Sequence, residues 1–314
     1  MITVDDAYDL CRKTAHKHGA NFSVGFRFLP RLKRRAVYAA YAFCRWADDI
    51  ADEDDDLRLS GAPGAESIGM PFKDGRVVQA GSLCSRDQSR MENLDACRRE
   101  LDACYEGRPS HPITIALADA LQHFAIPKSA FLALIDGCRQ DMVKTRYETF
   151  DELLHYCDLV ASSISDISLA IFGYRTPAAI DHGRSLSTAL QLTNVTRDVG
   201  DDLARNRVYL PQEELRRFGV TEQELFERRE NHRLRSLIEF QIARAEEYFR
   251  AAEPLLKELA FDARFPTLLM GGVYATVLAN LRKDPLMVIR KRFSLSRLQK
   301  VLVITTRLLR PHFV

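Results

Sequence analysis

The 314-residue sequence lacks a long apolar run and an excess of charge of either sign. Its 45 basic and 43 acidic residues leave a formal net charge of +2, so no overall field favours nucleic acid, and we expect no such partner. No segment approaches the roughly 20 apolar residues that a membrane-spanning helix needs. The stretch MITVDDAYDL carries acids where a secretory signal needs basic residues. We therefore expect a protein that is not integral to a membrane.

Cysteine is present, but it lacks the spacing of a structural site. The seven cysteines are odd in number and include no CxxC pair, which argues against both a disulfide framework and a zinc site. This pattern is typical of a reducing compartment, so we expect a cytoplasmic protein. The content of 46% hydrophobic and 28% charged residues predicts a globular chain, in one large domain or two.

Strand signals are nearly absent as well, and helix signals dominate the chain. Thr3, followed by Asp5 and Asp6, predicts the start of a helix, and Gly19 predicts its end. A long helix is expected over roughly 31–53. The sequence therefore predicts an all-α fold. Further helices are expected at about 91–106, 112–124, 128–146, 150–173, 178–205, 221–229, 232–260, 264–282 and 294–310.

The stretch between residues 54 and 90 differs from the rest in composition. It contains LSGAPGAESIGMPFKDGRVVQAGSLCSRDQSR, which is rich in Gly, Ser, Pro and charge and too long for an ordinary connection. We expect a mobile insertion or lid over 54–90, within a single domain that spans 1–314.

Acidic residues concentrate in YAFCRWADDIADEDDD, residues 41–56, where seven carboxylates fall within nine positions. On a helix, four of these residues recur at steps of four, three and four and so lie on one stripe: Tyr41, Arg45, Asp48 and Asp52. Two carboxylates one turn apart repel each other, and more strongly when they are desolvated. A solvated helix end would explain the last acids of the run, but not the arginine or the apolar residues before it.

A second polar stripe lies in QLTNVTRDVGDDLARNRVYLP, residues 191–211. Its members recur at steps of three, four and four, again with two carboxylates one turn apart: Gln191, Asn194, Asp198 and Asp202. The alternative is a pair of satisfied buried amides beside an exposed acidic face. That alternative leaves unexplained why the amides stand among apolar residues.

Two carboxylate pairs on two helices match what a magnesium and diphosphate site needs. Mg²⁺ prefers hard oxygen ligands and retains positions for water and for phosphate oxygens of a substrate. Arg45 and Arg197 flank the pairs and would balance the charge of a leaving diphosphate. The sequence has no EF-hand spacing. We therefore predict that the acid pairs bind Mg²⁺.

These motifs, with NFSVGFRFLP before them and RYETFDELLHYCDLVA between them, resemble the squalene/phytoene synthase family of head-to-head prenyltransferases. The resemblance runs from about residue 7 to RFSLSRLQK at 292–300 and is interrupted after Asp54. It implies a single-domain, all-helical isoprenoid-synthase (terpenoid synthase) fold with a central cavity. The two acidic motifs would face each other across that cavity and bind Mg²⁺ through the diphosphates of two prenyl substrates.

The resemblance also implies roles for individual residues. The implied metal ligands are Asp48, Asp52, Asn194, Asp198 and Asp202, with Gln191 lining the site. The implied diphosphate-binding side chains are Arg45, Arg197, Arg207, Tyr209, Arg292 and Lys300. The implied aromatic or phenolic positions near the reacting carbons are Phe22, Tyr41, Tyr156 and Tyr274. For Tyr274, a role in helix packing alone stays open.

The implied reaction begins when one diphosphate leaves an allylic carbon. The double bond of the second substrate attacks the resulting cation, and a cyclopropyl carbinyl diphosphate forms. Aromatic faces and phenol or amide dipoles would stabilise the cation, by roughly 0.5 to 2 kcal/mol for each cation–π contact. Released pyrophosphate is the expected proton acceptor, and help from Tyr156 or Tyr209 is left open. NADPH is expected only if the product is squalene.

One segment departs from the family pattern. Where many members have a glycine-containing VAGxVG, this chain has VASSIS at residues 160–165. Serine side chains would narrow or polarise a wall that glycines leave open. The second half-reaction and the final product therefore stay open, from the cyclopropyl diphosphate to a C30 or C40 hydrocarbon.

Two other interpretations compete with this one. A non-catalytic helical scaffold that kept the fold would have no reason to keep carboxylates facing its cavity. A head-to-tail prenyl synthase would carry DDxxD motifs, and DDIAD at 48–52 fits that pattern, but RDVGDD with RVYLP does not. The head-to-head interpretation is therefore preferred.

Two aromatic side chains bear on the length of the substrate. If NFSVGFRF is helical, Phe22 and Phe26 lie one turn apart, and Tyr38 lies one turn before Tyr41. Phe26 and Tyr38 would then form a floor deeper in the cavity. An added isoprene unit would overpack this floor at a cost of about 1 to 3 kcal/mol. We therefore expect two farnesyl diphosphates and a C30 product (presqualene diphosphate, squalene or dehydrosqualene), with geranylgeranyl diphosphate and phytoene as the alternative.

The tail IRKRFSLSRLQKVLVITTRLLRPHFV combines seven Lys and Arg residues with apolar ones. Because a hydrocarbon product would not dissolve in water, this composition suggests peripheral contact with a membrane. A last helix that packs on the core and exposes a basic face is the alternative.

Overall fold

The computed structural model describes residues 2–18, 25–52 and 83–296, and near the C-terminus residues 299, 302–303, 305–307 and 312–313. Within these residues the regular structure is helical, and β pairing is limited to two isolated bridges, Arg146 with Val208 and Tyr174 with Leu259. The all-α prediction is therefore confirmed.

The helices are numbered here in chain order. The first five are α1 (Val4–His18), α2 (Arg31–Asp52), α3 (Leu83–Tyr105), α4 (Pro112–Leu121) and α5 (Lys128–Val143). The next are α6 (Phe150–Cys157), a π-helical turn (Asp158–Ser162), α7 (Ser163–Phe172), α8 (Ala178–Arg197) and α9 (Val199–Ala204). The last are α10 (Gln212–Phe218), α11 (Glu222–Phe226), α12 (His232–Ala252), α13 (Leu255–Glu258), α14 (Phe261–Lys283) and α15 (Met287–Arg290).

Two of the expected helices are interrupted. The helix predicted over 178–205 breaks at Asp198, whose φ of −96° and ψ of 9° depart from helical values. The helix predicted over 232–260 ends at Ala252, and Pro254, which lacks a backbone N–H, precedes the short helix that follows. The sequence patterns therefore locate these helices but not their breaks.

The stretch expected as an insertion, 54–90, falls mostly outside the described residues. Its last part does not: α3 begins at Leu83, so residues 83–90 are helical. Of the helix expected at 294–310, the described residues 299, 302–303 and 305–307 are helical, and 294–296 are not.

Helix α8 forms the middle of the bundle. It packs against α7, α12, α14 and the π-helical turn, while α2 packs against α1, α4 and α5. Its approach to α7 is close, since a Cβ at Gly183 would come within 2.6 Å of the Ser165 hydroxyl oxygen. Apolar residues such as Leu186, Ala189 and Leu192 recur along its buried face. This packing fixes the helix that carries the second polar stripe.

Six cysteines fall within the described residues with their side chains, and all six are buried free thiols. Among the helices that the structure describes, none combines the length with the apolar character that crossing a bilayer requires.

Candidate functional site

The last turns of α2 carry the first acidic group. Arg45 donates to Asp48 Oδ2 at 3.0 Å and also forms an ion pair with Asp49. Burial raises the pKa of Tyr41, one turn earlier; the Arg45 charge opposes this, while the charges of both acids add to it. Asp52 is the last residue of α2, and its side chain is outside the described set. The structure therefore brings Tyr41, Arg45 and Asp48 together on one stripe, as predicted.

The second acidic group lies at the junction of α8 and α9. The backbone N–H of Asp198 donates to the Asn194 carbonyl at 2.9 Å, and that of Asp202 donates to the Asp198 carbonyl at 2.9 Å. Because both bonds span four residues, the carboxylates stay one turn apart although the helix breaks between them. The predicted spacing of the stripe is kept.

Two arginines surround the carboxylate of Asp198. Arg197 donates to both of its oxygens, and Arg292 donates to Oδ1 at 2.8 Å and to Oδ2 at 3.2 Å. The Asp198 side chain is 16% exposed, so these charge-assisted bonds are partly shielded from water. Two guanidinium groups therefore lie against both oxygens of this carboxylate.

The charge of the Asp202 carboxyl is less well balanced than that of Asp198. Burial raises its pKa to about 7, and the nearby charge of Asp198 adds to the rise, while Arg207 and Arg205 oppose it. A carboxyl with such a pKa is only partly ionised near neutral pH, and a cation beside it would favour the ionised form. The site thus has a buried carboxyl whose charge nearby arginines balance only in part.

An amide and a phenol complete this side of the site. Asn194 Nδ2 donates to Gln191 Oε1 at 3.4 Å. Within the described residues, Asn194 Oδ1 is buried and has no hydrogen-bond partner. Burial raises the pKa of Tyr274, while the Arg197 charge and hydrogen bonds from Asn194 and Arg197 lower it. Tyr274 therefore belongs to the polar group and does more than pack between helices.

A third group centres on Asp141, near the end of α5. Tyr156 donates to its Oδ2 at 2.7 Å, Tyr209 donates to its Oδ1 at 2.9 Å, and Arg207 donates to its backbone carbonyl at 3.2 Å. The rings of Tyr156 and Tyr209 lie 5.5 Å apart, and each lies within 5.6 Å of Tyr147. Burial raises the pKa of both hydroxyls, and the Asp141 charge raises them further. Both are neutral donors at physiological pH.

Sequence reasoning missed Asp141. The other acid of its helix, Asp136, lies five residues away and so off the helical spacing of three or four, and no acid pair distinguishes Asp141 from a surface carboxylate. The one available signal was its position just before the RYETF motif.

A left-handed turn after α9 brings Tyr209 to this group. Asn206 has a φ of 57°, a conformation that Asn tolerates better than most residues, and Arg146 donates to its backbone and side-chain oxygens. The chain then extends, and Val208 N–H donates to the Thr145 carbonyl at 2.9 Å. The ARNRVYLP sequence therefore folds Tyr209 back against α5.

A buried thiol connects the first and third groups. Burial raises the pKa of Cys138 on α5, and the charges of Asp48 and Asp141 both add to the rise. Both carboxylates therefore lie within electrostatic range of the same thiol, across the α2–α5 contact. Asp202, Arg207 and Tyr209 in turn line one small cleft, which connects the second and third groups.

The serine segment does not polarise a wall in the way expected. Ser162 donates to Asp158 Oδ1 at 2.9 Å, and Ser163 donates to the Leu159 carbonyl at 2.6 Å. Both serines are buried, and their hydroxyls are satisfied within their own turn. Val160 and Leu159 contact α5 so closely that a Cβ at Gly137 would lie 2.5 Å from Val160 Cγ1. The hydroxyl of Ser162 is thus directed to a carboxylate one turn earlier and that of Ser163 to a backbone carbonyl.

The two proposed floor aromatics are in contact. The ring of Phe26 meets that of Tyr38 edge to face, with 6.2 Å between centroids, and Tyr38 is 4% exposed. Two further predicted site residues, Phe22 and Lys300, lie outside the described residues.

The donor set fits a hard cation. Mg²⁺ binds carboxylate and amide oxygens and keeps several waters or phosphate oxygens. The unpartnered Asn194 oxygen and the Asp202 carboxyl are groups of this kind, beside Asp198. Within the described part of the chain, no three His, Cys, Asp or Glu side chains form a closed metal cage. The residues therefore suit a cation that shares its coordination with a substrate.

The comparisons with known proteins agree with this geometry. Residues 15–299 match the squalene/phytoene synthase family. A 15-cis-phytoene synthase from Synechococcus elongatus is 30% identical over 322 residues, covering 99% of this chain and 95% of that protein. A phytoene synthase from Mycobacterium tuberculosis is 33% identical over 306 residues, covering 96% and 91%.

Solved structures give the same family. A dehydrosqualene synthase crystal structure superposes with a TM-score of 0.78 at 26% identity and covers 96% of this chain and 95% of its own. A squalene synthase from Alicyclobacillus acidocaldarius superposes with a TM-score of 0.75 at 28% identity, covering 90% and 95%. The chain therefore belongs to the squalene/phytoene synthase family, as its motifs predicted, and it is a prenyltransferase.

Proposed function

We propose that this chain catalyses the Mg²⁺-dependent head-to-head condensation of two prenyl diphosphates through a cyclopropyl carbinyl diphosphate. The observation that carries the proposal is the buried, partnerless Asn194 oxygen, among the described residues, one turn before Asp198 and two turns before Asp202. A buried acceptor of this kind costs free energy unless a ligand satisfies it. A cation held with a diphosphate would satisfy it and would also ionise Asp202.

The diphosphates are bound by the two acidic groups and their arginines. We assign Asp48, Asp52, Asn194, Asp198 and Asp202 to the cation. When bound, Mg²⁺ would withdraw electron density from a diphosphate and so favour its departure. We assign a set of cationic and phenolic donors to the diphosphate oxygens: Arg45, Arg197, Arg207, Arg292, Lys300 and Tyr209.

The carbon skeleton lies beside aromatic and phenolic groups in this proposal. Tyr41 and Tyr274 stand next to the first and second acidic groups, and Phe22 is assigned to the same wall. Tyr156 is oriented by Asp141, and its neutral hydroxyl would direct its oxygen dipole at a developing cation. Because its high pKa keeps the Tyr156 hydroxyl protonated, it is not available as a general base. We therefore assign proton removal to released pyrophosphate.

We propose a C30 product from two farnesyl diphosphates. The contact between Phe26 and Tyr38 supports this choice, because two large rings shorten the space for a prenyl tail. Whether the reaction continues past the cyclopropyl stage decides the need for NADPH, which only a squalene product requires.

A C40 product from two geranylgeranyl diphosphates is the second candidate. It is favoured by the sequence relatives named phytoene synthases, at 30 to 33% identity over most of the chain. The superposed crystal structures are a dehydrosqualene synthase and a squalene synthase, which favours C30. The contact between Phe26 and Tyr38 is the feature of this chain that supports our choice of C30.

We also place the enzyme in the cytoplasm, at the membrane surface. The six buried thiols, free among the described residues, support a reducing compartment. A hydrocarbon product needs an apolar acceptor, which supports peripheral contact with lipid.

The proposal is tested with purified enzyme, Mg²⁺ and labelled prenyl diphosphates, using Asp48→Asn with Asp49→Asn as its matched control. Both acids pair with Arg45 and are about half exposed, but only Asp48 is assigned to the cation. We expect Asp48→Asn to lower turnover by about 10² to 10³-fold and Asp49→Asn to lower it far less. Equal activities of the two variants would remove the assignment.

A further inference from the structure

A row of aromatic side chains lies exposed beside the N-terminal ends of α2 and α14. Phe28 packs edge to face on Phe265, with 4.8 Å between ring centroids, and Phe261 lies one turn before Phe265 on α14. Phe28 is 57% exposed and Phe261 is 84% exposed. Leu32 and Tyr174 are exposed nearby. Contiguous exposed apolar groups of this size mark interaction surfaces. Phe28, Phe261 and Phe265 are called the aromatic row below.

The segments that carry the aromatic row are held together by polar contacts. Lys33, in the first turn of α2, donates to the Phe172 carbonyl at 2.7 Å and to Asp262 Oδ1 at 2.8 Å. The residue before Phe261 donates its N–H to the Gly173 carbonyl at 3.0 Å, next to Tyr174. The starts of α2 and α14 and the loop after α7 thus form one rigid surface.

Basic residues surround the aromatic row. The guanidinium of Arg264 lies 6.0 Å from the centre of the Phe261 ring. Two acids of this surface are already paired, Asp262 with Lys33 and Glu258 with His182. The surface is therefore positively charged. Its exposed or partly exposed cations are Arg27, Arg31, Arg175, Lys257 and Arg264.

The aromatic row lies at the end of the bundle opposite to the acidic groups. Leu32 and Asp48 are 16 residues apart on α2, about 24 Å along the axis. Phe261 and Tyr274 are 13 residues apart on α14, about 20 Å. Tyr38 lies between the two ends of α2. If the proposed reaction holds, the hydrocarbon tails extend from the acidic groups toward this surface.

The C-terminal tail offers less apolar surface among its described residues. Of its described residues, Val303 and Phe313 are buried, and Phe313 packs so closely on α14 that a Cβ at Gly271 would lie 2.4 Å from its ring. Leu302 alone among its large hydrophobics is exposed within the described part. Val303 and Phe313 therefore pack on the protein.

We propose that the aromatic row and its basic border bind the surface of an anionic phospholipid bilayer. The rings would enter the interface between headgroups and acyl chains, and the cations would contact lipid phosphates. The enzyme would then stand with the hydrocarbon end of its site next to the lipid and its acidic groups away from it.

The test is co-sedimentation of the full chain with vesicles of phosphatidylcholine with and without phosphatidylglycerol, at low and high salt. No substrate is present, so the outcome does not depend on the proposed reaction. We expect binding to the anionic vesicles at low salt, weakened by salt. Phe28→Ser with Phe261→Ser should reduce binding by about tenfold for each phenylalanine. Phe261→Trp should show a blue-shifted emission with vesicles, which tests the surface if the serine variant fails to fold.

Two controls separate this surface from others. Val143→Ser removes a side chain that is 69% exposed elsewhere, and Leu302→Ser removes the exposed one in the tail; both should bind like the parent. Absence of binding at low salt, undiminished binding of the double serine variant, or loss of binding in Leu302→Ser would each overturn the proposal. If the parent is a dimer in solution and the double serine variant is a monomer, the proposal is also overturned, because a second copy of the chain then covers the aromatic row.

Discussion

Arg292 holds both oxygens of Asp198 across a sequence separation of 94 residues, at 2.8 and 3.2 Å. This contact joins the segment after α15 to the junction of α8 and α9. It depends on Gly200, where a Cβ would lie 2.8 Å from the Val288 carbonyl oxygen. The close approach of backbone to backbone sets the arginine over the second acidic group.

Arg292→Gln should lower kcat/KM by about 10 to 100-fold, because the variant loses a charge-assisted contact to Asp198 and, by our proposal, to the diphosphate. The matched control is Arg290→Gln, since Arg290 pairs with Asp284 and Glu230, acids that have no assigned role. Steady-state kinetics over a range of Mg²⁺ concentrations measure both. If the two variants lose activity equally, the loss comes from removing any positive charge in this segment, and the role assigned to Arg292 is wrong.

Asp141→Asn should lower the pKa of Tyr156 and Tyr209. Burial is the main cause of their raised pKa, and it stays, but the carboxylate charge that adds to it is removed. Tyrosinate absorbance during alkaline titration measures the shift. We expect turnover to fall by about 10 to 100-fold, since an amide keeps one acceptor oxygen and one of the two hydroxyls therefore loses its acceptor.

Asp136→Asn is the control for that change, because Asp136 is an exposed acid on the same helix. It should leave the titration and the turnover unchanged. An unaltered titration of Asp141→Asn would contradict the hydrogen bonds that define this group.

Asp202 should make the metal-free enzyme less stable as pH rises. Its folded pKa of about 7 exceeds the unfolded value, so the unfolded state loses its proton first between about pH 4 and 7. Below that pH window Asp202 does not lower the free energy of unfolding. Above it the free energy of unfolding is lowered by the full amount, up to about 4 kcal/mol. The free energy of unfolding, measured with a chelator, should therefore be higher in Asp202→Asn than in the parent at pH 8, and equal near pH 4.

The exposed neighbour Asp201 supplies the control: its charge adds only the last and smallest part to the raised pKa of Asp202, so Asp201→Asn should change the stability at pH 8 far less than Asp202→Asn does. Added Mg²⁺ should raise the thermal midpoint of the parent above pH 7 more than that of Asp202→Asn. A difference between parent and Asp202→Asn that does not change with pH would refute the raised pKa.

Phe26→Ala with Tyr38→Ala should shift substrate preference toward geranylgeranyl diphosphate. Removing both rings opens space for a C20 tail that would otherwise overpack. The ratio of kcat/KM for geranylgeranyl diphosphate to that for farnesyl diphosphate should therefore rise by about one to two powers of ten. Tyr8→Phe is a control, because Tyr8 is a buried tyrosine whose hydroxyl bonds Asp119 rather than a site residue. A double variant whose preference does not move would remove the floor while leaving the condensation in place.

The acidic stripes were predictable because helical periodicity alone places residues four apart on one face. Asp48 with Arg45, and Asn194 with Asp202, follow from spacing within one segment. The break at Asp198 was not predictable in the same way, since no proline marks it; the close packing of Gly200 on α15 accompanies it.

Asp141 was missed for a related reason. Its partners Tyr156 and Tyr209 lie 15 and 68 residues away, so the cluster exists only in the folded chain. The hydroxyls of Ser162 and Ser163 were likewise expected toward the substrate, but a π-helical turn orients them into local bonds. Local geometry that departs from the α-helix is not encoded in a simple period.

The most direct test of the central claim is the carbon connectivity of the product formed from farnesyl diphosphate and Mg²⁺ without NADPH. Mass spectrometry and NMR of the extracted product identify it, and pyrophosphate release is counted against substrate consumed. The account predicts a C30 cyclopropyl carbinyl diphosphate with one pyrophosphate released for two substrates, or a C30 hydrocarbon formed from it with two released. A linear head-to-tail diphosphate, or farnesol alone, would contradict it.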